Sequence, residues 1–348
     1  MSDGFPTVYG RNLLPELPNF VHRPYLVVTM ADLWPLFRPS LDGPGLAGAH
    51  LVTTLDVDEL EAMLDGLPAA SSVVGLGGGQ AVDVAKFIAW RRYLPLFQVP
   101  TAMTVNAPFG HRAGLRRDGV VRYLGYAVPE AVYVDFDVIA GAPAGLNRAG
   151  VGDILCYHTA HLDWRLTRDL GKEERQWPYD ETLVGEARQR LDAVIAALDE
   201  IHGVTDTGIR TLMDAHRWGG QTFHAAGWNP RHIEGVEHFF FYNLEKRTGR
   251  HFIHGQAVGL GIVLGSVMHQ SGADEMVAAL ARAGVDIRPE AMGVTWDDAE
   301  AAMCTLGSFV RDAGLWHSIA DERAVDAAIV GEVRERVEAA FGRGQASA

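Results

Sequence analysis

Asp153, His238 and His254 are a carboxylate and two imidazoles, the residue types that hold a divalent ion. Catalytic divalent metals take three such protein ligands and keep a coordination position for water or substrate. Asp153 follows Gly152 at an expected helix start, where a carboxylate is by default an N-terminal cap. His238 falls on a helix beginning near Gly235, and His254 stands just before Gly255 at the start of another. Singly, each histidine reads as a structural or exposed group; together the three form a more specific set. Eleven of the 14 histidines lie beyond residue 150, so this chemistry is concentrated in the second half of the chain. A second feature comes earlier. Gly77, Gly78 and Gly79 sit where a strand runs into a helix, and there the free N–H groups and the positive helix end favour a phosphate. The bare pattern also suits a tight turn, and its spacing is not that of Gly-x-Gly-x-x-Gly.

The elements that must position these residues fall into two regions. Short apolar runs at 24–30, 71–76, 96–99 and 131–134 read as strands, and 58–67 and 80–92 as helices between them, an order that implies a parallel sheet. Pro143 and Gly145 mark a change of domain. Beyond them the pattern is helical at 152–168, 180–198, 207–223, 235–246, 255–270, 273–283, 297–312 and 324–341, ending in a short polar tail at 342–348. The expected architecture is an α/β nucleotide-binding, Rossmann-like domain over 1–142 and an all-α domain over 143–348, with a ligand cleft between them.

Composition narrows the partners. Lys plus Arg number 30 against 44 Asp plus Glu, a net charge of −14, which argues against a nucleic-acid groove or an anionic membrane surface. Two cysteines are too few for a disulfide framework, and the near-apolar run 257–268 is too short to span a bilayer. The expectation is a cytoplasmic homo-oligomer acting on a small molecule, with neither nucleic acid nor membrane as partner.

The run from Gly77 to Lys86 reads Gly-Gly-Gly-Gln-Ala-Val-Asp-Val-Ala-Lys, and Val99-Pro100-Thr101-Ala102-Met103-Thr104 follows it. Together they resemble the glycine-turn and Val-Pro-Thr motifs of the superfamily of iron-containing alcohol dehydrogenases, glycerol dehydrogenase, glycerol-1-phosphate dehydrogenase and 3-dehydroquinate synthase. The block Ala149-Gly150-Val151-Gly152-Asp153, continuing through Thr159, Ala160, Asp163 and Trp164, is similar to that of glycerol-1-phosphate dehydrogenase. So are Glu237-His238 and the segment from His254 to Gly259. The resemblance implies a dehydroquinate synthase-like fold and NAD or NADP held by its pyrophosphate at Gly77, Gly78, Gly79 and Gln80, with Asp83, Thr101 and Thr104 nearby. It further implies Zn²⁺ or Fe²⁺ on Asp153, His238 and His254. Asp83 and Lys86 also read as a surface pair, the reading preferred for Lys86. Asp32 lies close to where an acidic residue would receive the adenosine ribose.

Departures from the motifs fall where substrate would sit. Asn106 replaces a carboxylate, so it suits orienting a substrate hydroxyl and not general base catalysis. Arg112 stands at a lysine position of 3-dehydroquinate synthase and reads as an anion holder or a surface arginine. Tyr242 replaces a second histidine four residues after His238, on the same helix face. His158 could carry a proton in a cleft, although a polar helix face suits it and His161 as well; His224, His232 and His251 read as surface or outer groups. The leading expectation is reversible hydride transfer between nicotinamide and a small polyol or hydroxy-phosphate. The alternatives are a sugar-phosphate cyclase that uses NAD transiently and a non-catalytic cofactor-binding relative.

Overall fold

The computed structural model describes residues 4–117 and 120–342; the tail expected beyond Gly342 lies outside them. The chain divides into two compact units, one formed by the residues up to Asn147 together with His216–Ala225, the other by Arg148–Ala215 and the residues from Ala226 onward. The division departs from a linear break after residue 142 for two reasons. The Asn147 side chain accepts from the Met103 N–H and donates to the Ile139 carbonyl, which fastens residues 143–147 to the first unit. The helix Asp206–Ala225 is shared, and its His216 ring bonds the Met103 carbonyl at 3.1 Å.

The first unit holds a six-stranded parallel sheet built from β1 (Thr7–Gly10), β2 (Tyr25–Thr29), β3 (Leu46–Leu51), β4 (Ser72–Gly77) and β5 (Leu96–Pro100). An antiparallel hairpin, β6 (Ala113–Arg117) and β7 (Val120–Leu124), precedes the last sheet strand, β8 (Pro129–Asp135). The sheet order is β1-β8-β5-β4-β2-β3. Strands β2, β4 and β5 are buried throughout, as central strands covered on both faces must be. Side chains alternate between the two faces: Leu26, Val28 and Val73 enter one apolar core, Tyr25, Val27 and Val74 the other.

Connections from β2 and β4 leave in opposite directions, β2 to β3 on one side and β4 to β5 on the other. The crevice at the carboxyl ends of two such strands is where open α/β sheets bind ligands. The glycine turn closes β4 at this point.

The second unit is helical among its described residues. The helix His254–Met268 is buried on every side from Ala257 onward, so it forms the centre of the unit. Two expected helices are broken. Residues 152–168 divide at Cys156 into Gly152–Leu155 and Tyr157–Leu170. Residues 297–312 divide at Thr305 into Trp296–Cys304 and Leu306–Ala313, where Asn243 Nδ2 captures the Ala302 carbonyl at 2.7 Å. No helix among the described residues is long and apolar enough to cross a membrane.

Candidate metal centre and nucleotide turn

Glycine lets three helices converge in the second unit. A methyl group at Gly255 would fall on the Ala149 carbonyl, one at Gly152 on the Gly255 carbonyl, and one at Gly261 on the Glu237 carbonyl. Backbone thus packs against backbone, and the residues beside these glycines, Asp153, His254 and His238, are drawn to one point. His254 Nε2 lies 3.1 Å from Asp153 Oδ1 and 3.2 Å from His238 Nε2, and His238 Nε2 lies 3.6 Å from Asp153 Oδ1. Tetrahedral donors about 2.0–2.1 Å from an ion stand about 3.3 Å from one another, so the triangle matches one face of such a site.

The second layer is as closely specified. His238 Nδ1 faces Glu237 Oε1 at 3.0 Å, which fixes the tautomer that turns the Nε2 lone pair toward the triangle. Glu237 is fully buried and also accepts from the Gly235 N–H and from Thr159 Oγ1, each at 2.6 Å. Asp163 holds the start of the same helix through the Val236 N–H at 2.7 Å, and it also accepts from Ile319 N–H and His269. Burial lowers the proton affinity of His238, but the hydrogen bonds to Asp153 and Glu237 and the charges of Glu234 and Glu237 outweigh it and push its pKa up to about 10. The pocket therefore calls for positive charge where the three donor atoms meet, and a divalent ion suits that donor set.

Cys156, Glu237 and His238 form a second cluster of ligand-type atoms. It suits a metal less well. Burial and the neighbouring Glu237 raise the Cys156 thiol well above its usual range, and it donates to the carbonyls of Asp153 and Ile233. Glu237 is committed to its three donors.

In the first unit Gly77 has φ +155°, which favours glycine, and a Cβ there would stand 2.7 Å from the Ala81 Cβ. The helix Gly79–Arg92 begins at Gly78 with no side-chain cap hydrogen bond, an arrangement in which a helix N-terminus suits an anion. Thr101 N–H donates to the Gly77 carbonyl at 3.1 Å, and Thr104 Oγ1 would lie 3.9 Å from a Cβ on Gly78, so the Pro-Thr segment passes beside the turn. Gln80 is exposed at the helix start, and Asn106 is half-buried just beyond that segment. Asp32 is exposed after β2, the second strand of the sheet.

Lys86 corrects the surface reading. It is 1% exposed, and its ammonium lies 2.6 Å from Asp83 and donates to the carbonyls of Ala107 and Arg112. A buried ammonium needs several oxygen partners, and these fasten the loop after Asn106 to the helix. Asp83 is turned to Lys86 and the Gly114 N–H and not to the helix start.

The remaining histidines separate by environment. His232 is fully buried and, with His161, is driven by burial to a pKa of about 3, so the outer placement expected for His232 and the polar-face reading of His161 give way to neutral interior rings. His158 Nε2 is bonded to the Ser271 carbonyl at 3.0 Å, and burial lowers its pKa. Tyr242 lies beside the triangle, its ring 6.2 Å from that of His238. Sequence reasoning assigned no role to Glu237, Thr159 or Asp163, although each stood within a quoted motif.

The iron-containing alcohol dehydrogenase family matches residues 38–143. The chain is 31% identical over 285 residues to glycerol-1-phosphate dehydrogenase [NAD(P)+] of Thermofilum pendens, covering 80% of this chain and 81% of that one. It is also 31% identical to the enzyme of the same name from Aeropyrum pernix, over 79% of this chain and 77% of that one. Among solved structures, glycerol dehydrogenase of Schizosaccharomyces pombe superposes with TM-score 0.69 at 18% identity, covering 97% of this chain and 91% of that one. NADH-dependent butanol dehydrogenase A of Thermotoga maritima does so with TM-score 0.64 at 13% identity, covering 96% of each. These two likenesses show a shared fold.

Proposed function

This chain belongs to the family of the iron-containing alcohol and glycerol-1-phosphate dehydrogenases, and from that premise we propose where its chemistry takes place. It is a metal-dependent, NAD(P)-linked oxidoreductase of small polyols or hydroxy-phosphates. The observation that carries the assignment of the site is the convergence of Asp153, His238 and His254 with donor atoms 3.1–3.6 Å apart. These three would hold Zn²⁺ or Fe²⁺; Gly77, Gly78, Gly79 and Gln80 would hold the pyrophosphate, with Thr101 and Thr104 beside it. When bound, the ion supplies Lewis acidity toward the reacting substrate oxygen and the nicotinamide supplies the hydride acceptor or donor.

The protein's own groups bind, orient and hold protons. Asn106 is assigned to orient a substrate hydroxyl, since an amide offers hydrogen bonds without taking a proton. Tyr242 is assigned to the substrate end of the metal centre. His158, bonded at Nε2 to a carbonyl, retains Nδ1 as its route to a proton relay. Glu237 sets the tautomer of His238. Cytoplasmic location and homo-oligomeric assembly belong to the same proposal, and sedimentation of the purified protein checks the assembly.

The test is removal of metal by a chelator followed by restoration with Zn²⁺ or Fe²⁺ while NAD(P)H absorbance is followed. Turnover indifferent to both steps would sink the assignment. Glu237→Gln keeps the shape but loses the charge, and is expected to weaken Zn²⁺ binding by about ten- to hundredfold in competition with a chromogenic chelator. Gly77→Ala places a Cβ at a strained φ, and is expected to raise the Kd for NAD(P)H about tenfold in a fluorescence titration. Unchanged metal binding or cofactor affinity would count against the respective role.

A further inference from the structure

We infer that Phe241 is a positioning residue for His254, whose ring it holds in the orientation that presents Nε2 to the metal. The inference rests on the reading that Asp153, His238 and His254 hold the ion. The two imidazoles of the triangle are fixed by different means. His238 faces Glu237 through Nδ1, and that contact orients its ring. The hydrogen bonds of His254 run through Nε2, to His238 and Asp153, and among the described residues no protein group bonds its Nδ1. A metal-binding histidine ordinarily takes its orientation from a hydrogen bond at its second nitrogen, and the last torsion of the side chain has only broad minima of its own. The close approach of Gly255 to the Ala149 carbonyl places the backbone beside His254 but leaves the ring free to turn. Packing must then supply the orientation.

Phe241 meets that need. Its ring centroid lies 4.8 Å from that of His254 with the planes at 82°, the edge-to-face geometry that aromatic pairs favour. Phe241 is 5% exposed, so the surrounding core keeps its ring in place. It follows His238 by three residues and so shares a face of the helix Val236–Thr248 with it. One helix thus carries one ligand and the wall against which the other rests. Tyr242 packs against Phe241 in turn, with ring centroids 5.3 Å apart. Phe240 supplies the comparison. It is as deeply buried on the same helix, but it stands about 100° away round the axis and makes no ring contact with His254.

The experiment measures Zn²⁺ affinity by competition with a chromogenic chelator, and the visible absorption of the Co²⁺-loaded protein, in the native chain, Phe241→Leu, Phe241→Met and Phe240→Leu. Leucine and methionine keep apolar volume at the site without a ring edge, and Phe241→Met serves where Phe241→Leu does not fold. Either Phe241 variant is expected to raise the Kd for Zn²⁺ about three- to tenfold, the size of one lost edge-to-face pair, and to shift the Co²⁺ bands. Phe240→Leu is expected to lower the thermal midpoint while leaving the Kd within about twofold of native and the bands unchanged. A Kd raised less than threefold in a folded Phe241 variant would overturn the inference and leave the metal assignment standing. Equal weakening by Phe240→Leu would overturn it too, since the effect would then be one of helix packing at large. Native protein that bound Zn²⁺ no more tightly than His254→Ala would overturn the metal reading and this inference with it.

Discussion

His254→Ala is expected to lower kcat/KM for NAD(P)-linked turnover by at least about a thousandfold, which corresponds to roughly 4 kcal/mol of lost transition-state stabilisation. His254 is the most accessible of the three donors, with 24% of its side chain exposed against 3% for His238 and 6% for Asp153. It is the first residue of its helix and lies outside the apolar seam that begins at Ala257. Its truncation therefore removes a donor without opening the core. The metal-free variant should unfold within a few degrees of the metal-free native protein, and its metal content after dialysis should fall. Chelator treatment of the native protein should reproduce the kinetic loss, and added Zn²⁺ or Fe²⁺ should reverse it in the native protein only. Turnover within tenfold of native in His254→Ala, with metal retained, would show that the triangle is not the site of the ion.

Much of the sheet was legible because its central strands are continuous apolar runs. Residues 24–30, 71–76, 96–99 and 131–134 correspond to β2, β4, β5 and β8. Strand β3 was not legible: Leu-Ala-Gly-Ala-His-Leu contains no β-branched residue, and it becomes a strand by pairing with β2 at the sheet edge. The first unit's claim on His216–Ala225 was hidden for a related reason, since the helical period runs unbroken from Asp206 to Ala225. At the candidate metal centre, residue types and motif resemblance led to Asp153, His238 and His254, but the groups that orient them lay out of reach. Thr159 meets Glu237 across 78 residues and Asp163 meets the Val236 N–H across 73. No local pattern encodes such partnerships. Burial of a polar side chain was hidden as well: Lys86 and His232 look like surface groups until the oxygen partners of one and the enclosing helices of the other are in place.

Gly255→Ala is expected to have the largest effect on stability, because its methyl group would overlap the Ala149 carbonyl and cannot be relieved by turning a side chain. Backbone must move. Overpacking of this kind costs about 3 kcal/mol, which at roughly 2.1 cal/mol/K of unfolding entropy per residue lowers the thermal midpoint of a 348-residue chain by about 4 °C. The displacement would carry His254 away from Asp153, since the two flank Gly255 and Gly152 and the same contact fixes both. Zn²⁺ affinity should therefore fall at least about tenfold even where the variant is folded, as one such donor is worth more than the 1.4 kcal/mol that a tenfold change represents. Gly331→Ala supplies the contrast. That glycine lies within the helix Ala327–Phe341 with nothing within 4 Å of an added Cβ, so the same substitution should stabilise the protein by about 0.5–1 kcal/mol and leave Zn²⁺ affinity unchanged. Thermal melts and chelator competition on the two variants separate close backbone approach from helix propensity. If Gly255→Ala melted and bound Zn²⁺ as the native protein does, backbone contact at the glycines would not be what sets the distance between the carboxylate and the imidazole.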